Sequence, residues 1–161
     1  MDDAVYERFD TREGFQAAVD RLLEQPGREL RIFDRDGAAL LFNDPARIER
    51  LQRFLQASRT RRLYLVLHDP QHLQRQCPRM MSLLARYAHA IQIHRSHDEI
   101  RELRDSFMVL DASHYVRRPV GAFFRGAIGL ADENEAFAMR GRFAEIWAAS
   151  YPAVSSSTVG L

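Results

Sequence analysis

Apolar positions along the chain fall into two kinds of segment, some spaced for helices and others running unbroken as in buried strands. In DTREGFQAAVDRLLEQPG, Phe15, Ala18, Val19, Leu22 and Leu23 recur at helical spacing. Asp10 and Glu13 stand before them at capping-box distance, and Pro26-Gly27 closes the segment. RELRIFDRDG predicts a short strand through Leu30, Ile32 and Phe33 that stops at Asp34, with Gly37 following. In NDPARIERLQRFLQAS, Asp44 and Pro45 read as N-cap and first helical residue, with Ile48, Leu51 and Leu55 on one face.

RRLYLVLHDP carries Leu63 to Leu67 without polar alternation, the pattern of a central strand covered on both faces. A helix follows from Pro78, burying Met80, Leu84, Tyr87 and Ala88. AIQIHRS predicts a third strand over 90–96, and SFMVLD a fourth through Phe107, Met108, Val109 and Leu110. Further short strands, broken by Pro119 and Gly121, are expected in HYVRRPVGAFFRGAIGL. The last helix is expected from Asp132 to Ser150, with Ala136, Phe143, Ile146 and Trp147 inward, and PAVSSSTVGL as a flexible tail.

Helices alternating with strands, then a group of short strands and a closing helix, describe an α/β fold. The expected architecture is a mostly parallel central sheet flanked by helices. A chain of 161 residues, 46% hydrophobic, is long enough for one full core and short for two, so a single domain over 1–151 with a tail over 152–161 is expected.

Twenty-three basic residues against 22 acidic ones leave no global pull toward nucleic acid or anionic lipid, so anion binding must come from local clustering. Every basic residue is Arg. The single Cys77 excludes an intramolecular disulfide and a multi-cysteine metal site and fits a reducing compartment. The start MDDAVYERFD lacks a basic region followed by an apolar one, and no run approaches membrane-spanning length. A cytoplasmic protein without membrane, metal or cofactor is the expectation.

In open parallel sheets ligands bind at the carboxyl ends of the strands. The residues that follow or end the first three strands are Asp34-Arg35-Asp36, His68-Asp69 and His94-Arg95. Asp111 ends the fourth and joins them if that strand is parallel, bringing His114 and Tyr115 near. Asp69 before Pro70 reads best as a cap. His68 and His72 straddle a strand-to-helix turn, which argues against a helical zinc pair. GxGxxG, GxxxxGK[ST] and GxSxG are all absent.

RELRDSFMVLD and the elements around it resemble one half of the phospholipase D-like superfamily. The strand RIF is similar to that fold's start, LYLVLHD and AIQIHRS to its middle strands, SFMVLD to the strand that bears its signature, and RFAEIWAAS to its closing helix. The signature sets His, Lys two residues on and Asp five further, then a Gly-Ser pair. With its Asp on Asp111, Arg104 stands for the nucleophilic His, Ser106 for the Lys, and Arg118-Pro119 for the Gly-Ser pair. Arginine stays protonated and cannot attack phosphorus, and serine brings no positive charge to a developing anion. The chain is also similar to an uncharacterised bacterial domain found alone or beside acyltransferase-like domains, with Asp111, Tyr115 and Arg117-Arg118 as its most recognisable run. That second resemblance implies an acyltransferase-like partner.

What the resemblance implies is a non-catalytic half-domain that binds a phosphate-containing or other anionic ligand, or a protein partner, along the ancestral cleft. Arg95, Arg104, Arg117 and Arg118 would supply forked donors oriented by Asp34 and Asp111, with His68, His114 and Tyr115 nearby. It also implies a homodimer, because the enzymes of this kind join two halves around one cleft. The alternative is a diverged phosphodiesterase or transferase using His114, or His94 with His68. The balanced charge and the lack of a basic stretch interleaved with aromatics argue against nucleic acid.

Overall fold

In the computed structural model, which describes residues 3–156, the chain runs β1 (Val5–Phe9), α1 (Arg12–Leu23), β2 (Glu29–Asp34), α2 (Pro45–Gln56), β3 (Arg62–Leu67), α3 (Gln71–Gln76), α4 (Pro78–Arg86), β4 (Ile91–Ser96), β5 (Ser106–Leu110), β6 (His114–Arg118), β7 (Gly126–Leu130), α5 (Glu133–Ala148) and β8 (Ser150–Val154). The strands form one sheet in the order β1-β7-β6-β5-β2-β3-β4-β8.

Only β2–β3 and β3–β4 are parallel; the other five pairings are antiparallel. The sheet is therefore mixed and mostly antiparallel, which corrects the mostly parallel expectation. An unbroken apolar run such as Phe107–Leu110 reports burial on both faces, and a central antiparallel strand between two helical layers meets that demand equally. The segment 97–105, shorter than the dozen residues a crossover needs, carries the chain from the end of β4 to the start of β5 at the same end of the sheet.

Alternation along the strands serves two layers. Leu30, Ile32, Leu63, Leu65, Ile91, Met108 and Val116 pack beneath α1, α2, α3 and α4. Phe33, Val66, Phe107, Val109 and Tyr115 pack beneath α5, which brings Ala136, Met139, Phe143 and Ile146. Helix α5 lies over β2, β4, β5, β6 and β8. Toward β7 and β1 the same face opens into a groove of about 550 Å³ lined by Tyr6, Arg8, Tyr115, Arg117, Arg125 and Ala127 among others.

Thr11, not Asp10, caps α1, its hydroxyl accepting from Gly14 N at 3.0 Å. Asp44 caps α2 with Pro45 in the first turn, as its spacing predicted. Helix α4 buries Met80, Leu83 and Leu84, whereas Ala88 lies beyond its end and is exposed. Residues 150–154, expected as the end of a helix and the start of a flexible tail, instead form β8 against β4; residues 157–161 lie outside the described residues. Strand β1 was not foreseen. Trp147, expected inside, is half-buried against His94 and Phe143. Among the described residues no helix is long and apolar enough to cross a membrane.

Candidate functional site

Because β2, β3 and β4 run together, Asp34, His68 and Arg95 come to one end of the sheet, called here the upper end. The His68 amide donates to the Asp34 carbonyl at 3.3 Å, and Arg95 pairs with Leu67 across β3–β4. Asp111 does not join them. Strand β5 runs the other way, starting beside Phe33 and ending opposite Leu30, so Asp111 caps its lower end. There its carboxylate accepts from the amides of Arg28 and Glu29, and its backbone adopts φ 53°. Asp111 thus holds the turn into β2, a structural role at the opposite end from the one expected.

His114 and Tyr115 start β6 at that same lower end. The His114 Nδ1 accepts from Ala131 N at 2.9 Å. Tyr115 donates to Asp132 at 2.9 Å; burial and that carboxylate push its phenol well above the ordinary range. Asp132 precedes α5 but makes no capping bond with its side chain, the carboxylate being turned to Tyr115 instead.

Strand β6 then climbs to Arg117 and Arg118 at the upper end, where period-two alternation sends them to opposite faces. Arg118 is 1% exposed, on the α1 side. Its Nη2 donates to Asp34 Oδ1 at 2.8 Å and to Ser106 Oγ at 3.0 Å, and its Nη1 to the Gly121 carbonyl at 2.8 Å. The guanidinium lies 4.3 Å from the Phe15 ring centroid. Ser106 donates to the same Asp34 oxygen at 2.6 Å, and the other oxygen accepts from Gly37 N at 2.8 Å. Burial lowers the Arg118 pKa while the Asp34 charge opposes that effect. This network occupies the α1-side interior at the upper end.

His68 sits on the α5 side. Its Nε2 lies 2.8 Å from the Leu103 carbonyl, which only accepts, so Nε2 carries the proton. In the neutral ring Nδ1 then accepts from Ser96 Oγ at 2.6 Å, and the ring meets Phe33 edge-on. Both nitrogens are used, and Ser96 is 1% exposed. His94 is stacked on Trp147 with centroids 3.6 Å apart, its Nδ1 2.8 Å from Ser150 Oγ. Desolvation lowers its pKa.

Among the openings at the upper end is a cleft of about 530 Å³ between β5, β6 and α5, lined by Arg104, Arg117, Arg142, Glu102, Asp105, Glu135 and Pro119 among others. Arg142 is held by Asp105 at 2.7 and 3.1 Å, whereas Arg104 and Arg117 form no ion pair among the described residues. Arg117 also lines the groove over β1 and β7, where Arg8 and Arg125 join it. Of the expected site residues, Arg104 and Arg117 thus share an open cleft, Asp34 and Arg118 are buried together, His68 is bound locally, Arg95 is half-buried on β4, and Asp111, His114 and Tyr115 lie at the far end. Arg8, on β1, and Arg125, just before β7, were missed because these strands lie far apart in sequence and meet only in the sheet.

Among solved structures, Nuc from Salmonella typhimurium, a phospholipase D family member, is similar at 12% identity with a TM-score of 0.70, over 95% of this chain and 100% of that one. NucT from Helicobacter pylori is similar at 10% identity and a TM-score of 0.62, over 94% and 100%. TrmBL2, an archaeal chromatin protein whose structure shows a novel mode of DNA binding, matches 92% of this chain at 11% identity and a TM-score of 0.66; this chain spans 54% of it. These likenesses show the fold alone, an α/β architecture similar to that of phospholipase D family structures. A family model, Domain of unknown function (DUF7931), matches residues 11–156, and the chain belongs to that family. No curated protein matches its sequence.

Proposed function

We propose that the protein is a non-catalytic phospholipase D-like domain that holds an anionic, phosphate-bearing ligand in the upper cleft between Arg104 and Arg117. The observation that carries this reading is the division of labour at the upper end. Asp34 is neutralised inside by Arg118 and Ser106, while Arg104 and Arg117 line open space without a carboxylate partner. An arginine fork matches phosphate oxygens in geometry as well as charge. Arg117 also lines the adjoining groove, where Arg8 and Arg125 add two further guanidinium groups.

Catalysis by the family signature would need a nucleophile where Arg104 stands and a cation where Ser106 stands, and neither residue type supplies one. The alternative that uses His114 draws no support from its position, at the other end of the sheet with Nδ1 engaged by Ala131. Two measurements test the reading together. Calorimetric titration with pyrophosphate should show saturable binding that weakens by about tenfold or more in Arg117→Ala, the loss of one charge-assisted contact. Hydrolysis of bis-p-nitrophenyl phosphate should stay at background in the wild type and in His114→Ala. Turnover that vanishes in His114→Ala would replace this reading with the relocated-histidine enzyme, and binding unchanged in Arg104→Ala and Arg117→Ala would remove the cleft.

A further inference from the structure

The two edges of the sheet are built differently. Strand β8 carries Pro152, which has no amide to offer, and its pairing with β4 is irregular between Ile93 and His94; both features blunt an edge against further pairing. Strand β1 has neither. It is regular over five residues, hydrogen-bonded to β7 on one side only, and Tyr6 stands 58% exposed beside the exposed Glu7 and Arg8. Val5 and Phe9 reach the core under α1 and are half-buried.

We infer that β1 is a self-pairing edge: a second copy of this chain adds its own β1 antiparallel across a two-fold axis at Glu7, continuing the sheet from one protomer into the next. The sequence VYERF is complementary to itself in this register. Tyr6 faces Arg8 of the other copy on the α5 side, twice over, a cation–π pair at cross-strand distance. On the α1 side Val5 faces Phe9, so the two cores meet at the seam. The two Glu7 side chains oppose each other, and each is neutralised by its own Arg21 at 2.8 Å.

Neighbouring registers are worse. A two-fold at Tyr6 sets Val5 against Glu7, and one at Arg8 sets Arg8 against Arg8 and Glu7 against Phe9. This interface is distinct from the cleft-sharing dimer implied by the phospholipase D-like resemblance, and it does not depend on the ligand proposed above. Since the axis is perpendicular to the sheet, both α5 helices lie on the same side. The two half-open grooves join into one trough whose floor is β6, β7 and β1 of both copies.

The short seam makes a concentration-dependent dimer, so sedimentation velocity from low to high micromolar concentration is the measurement. Two substitutions at one exposed position separate this register from any other contact. Tyr6→Lys places two like-charged pairs across the seam and should raise the dissociation constant by about tenfold. Tyr6→Glu places two opposite-charged pairs there and should leave it unchanged or lower it. Hydrogen exchange of the amides of residues 5–9 should slow as the wild type is concentrated. A monomer throughout the range overturns the proposal. So does a dimer that responds alike to Lys and Glu, or one whose β1 amides gain no protection.

Discussion

At the scale of single residues, the energetic weight at the upper end rests on Asp34 and Arg118, whose side chains are only 4% and 2% exposed. A buried pair of this kind is costly to break from one side, because the remaining charge is stranded in a medium that cannot solvate it. Arg118→Met should therefore lose about 3–5 kcal/mol in urea denaturation. Adding Asp34→Asn to it should recover a large part of that loss, since the stranded charge is gone. If the single substitution costs no more than a surface change, the pair is not the keystone described here. Asp34 was legible as a strand-ending acid, but its partner was not. The signal was nevertheless present in Arg117-Arg118: on a strand, adjacent arginines face opposite ways, so one of them had to enter the core and find a carboxylate.

At the scale of elements, strand existence was written clearly in the apolar runs, and strand direction was not. Direction lay in the length of segment 97–105, too short to carry the chain back before β5. The strands without apolar runs, β1 and β8, were invisible because each is a half-exposed edge, and β8 holds a proline that ordinarily argues against a strand. What ties β8 down includes the stack of His94 on Trp147 and its contact with Ser150, whose hydroxyl also donates to the Trp147 carbonyl at 2.6 Å.

This arrangement carries a pH signature. Desolvation holds the His94 pKa below its ordinary 6.5, so as pH falls through that value the unfolded chain takes up a proton before the folded one does. The stability contribution of neutral His94 is therefore present above the ordinary value and is lost progressively below it. Thermal melts at about pH 7.5 and about pH 5.5 should show a drop in wild type that is smaller in His94→Phe, which keeps the stack and leaves Ser150 bonded to Trp147. Equal drops in the two proteins would show that His94 is not a source of the pH dependence.

At the scale of the whole molecule, the sheet is unequally roofed. Four helices cover one face and one helix crosses the other, which leaves that second face open in clefts along β5, β6, β7 and β1. The α/β class and the likeness to phospholipase D family structures could be read from the sequence, because they depend on which segments are apolar. The placement of the arginines could not. It depends on antiparallel pairings that bring residues 8, 117 and 125 to one surface.

The buried network at the upper end also decides which side chains position 106 can hold. On the phospholipase D-like reading proposed above, Ser106 takes the place of the signature lysine, and its hydroxyl is bonded to Asp34 and Arg118. Introducing a lysine by Ser106→Lys would set a second cation beside a buried guanidinium with one carboxylate between them, and the protein should lose stability as in Arg118→Met. Combining Ser106→Lys with Arg118→Met leaves one cation for Asp34 and should be more stable than Ser106→Lys alone, which chemical denaturation of the three variants will read. A lysine at position 106 would thus be tolerated only where Arg118 is surrendered before or together with it. Either substitution alone costs stability, so the Asp34–Arg118 pair acts as a ratchet that holds Ser106 in place.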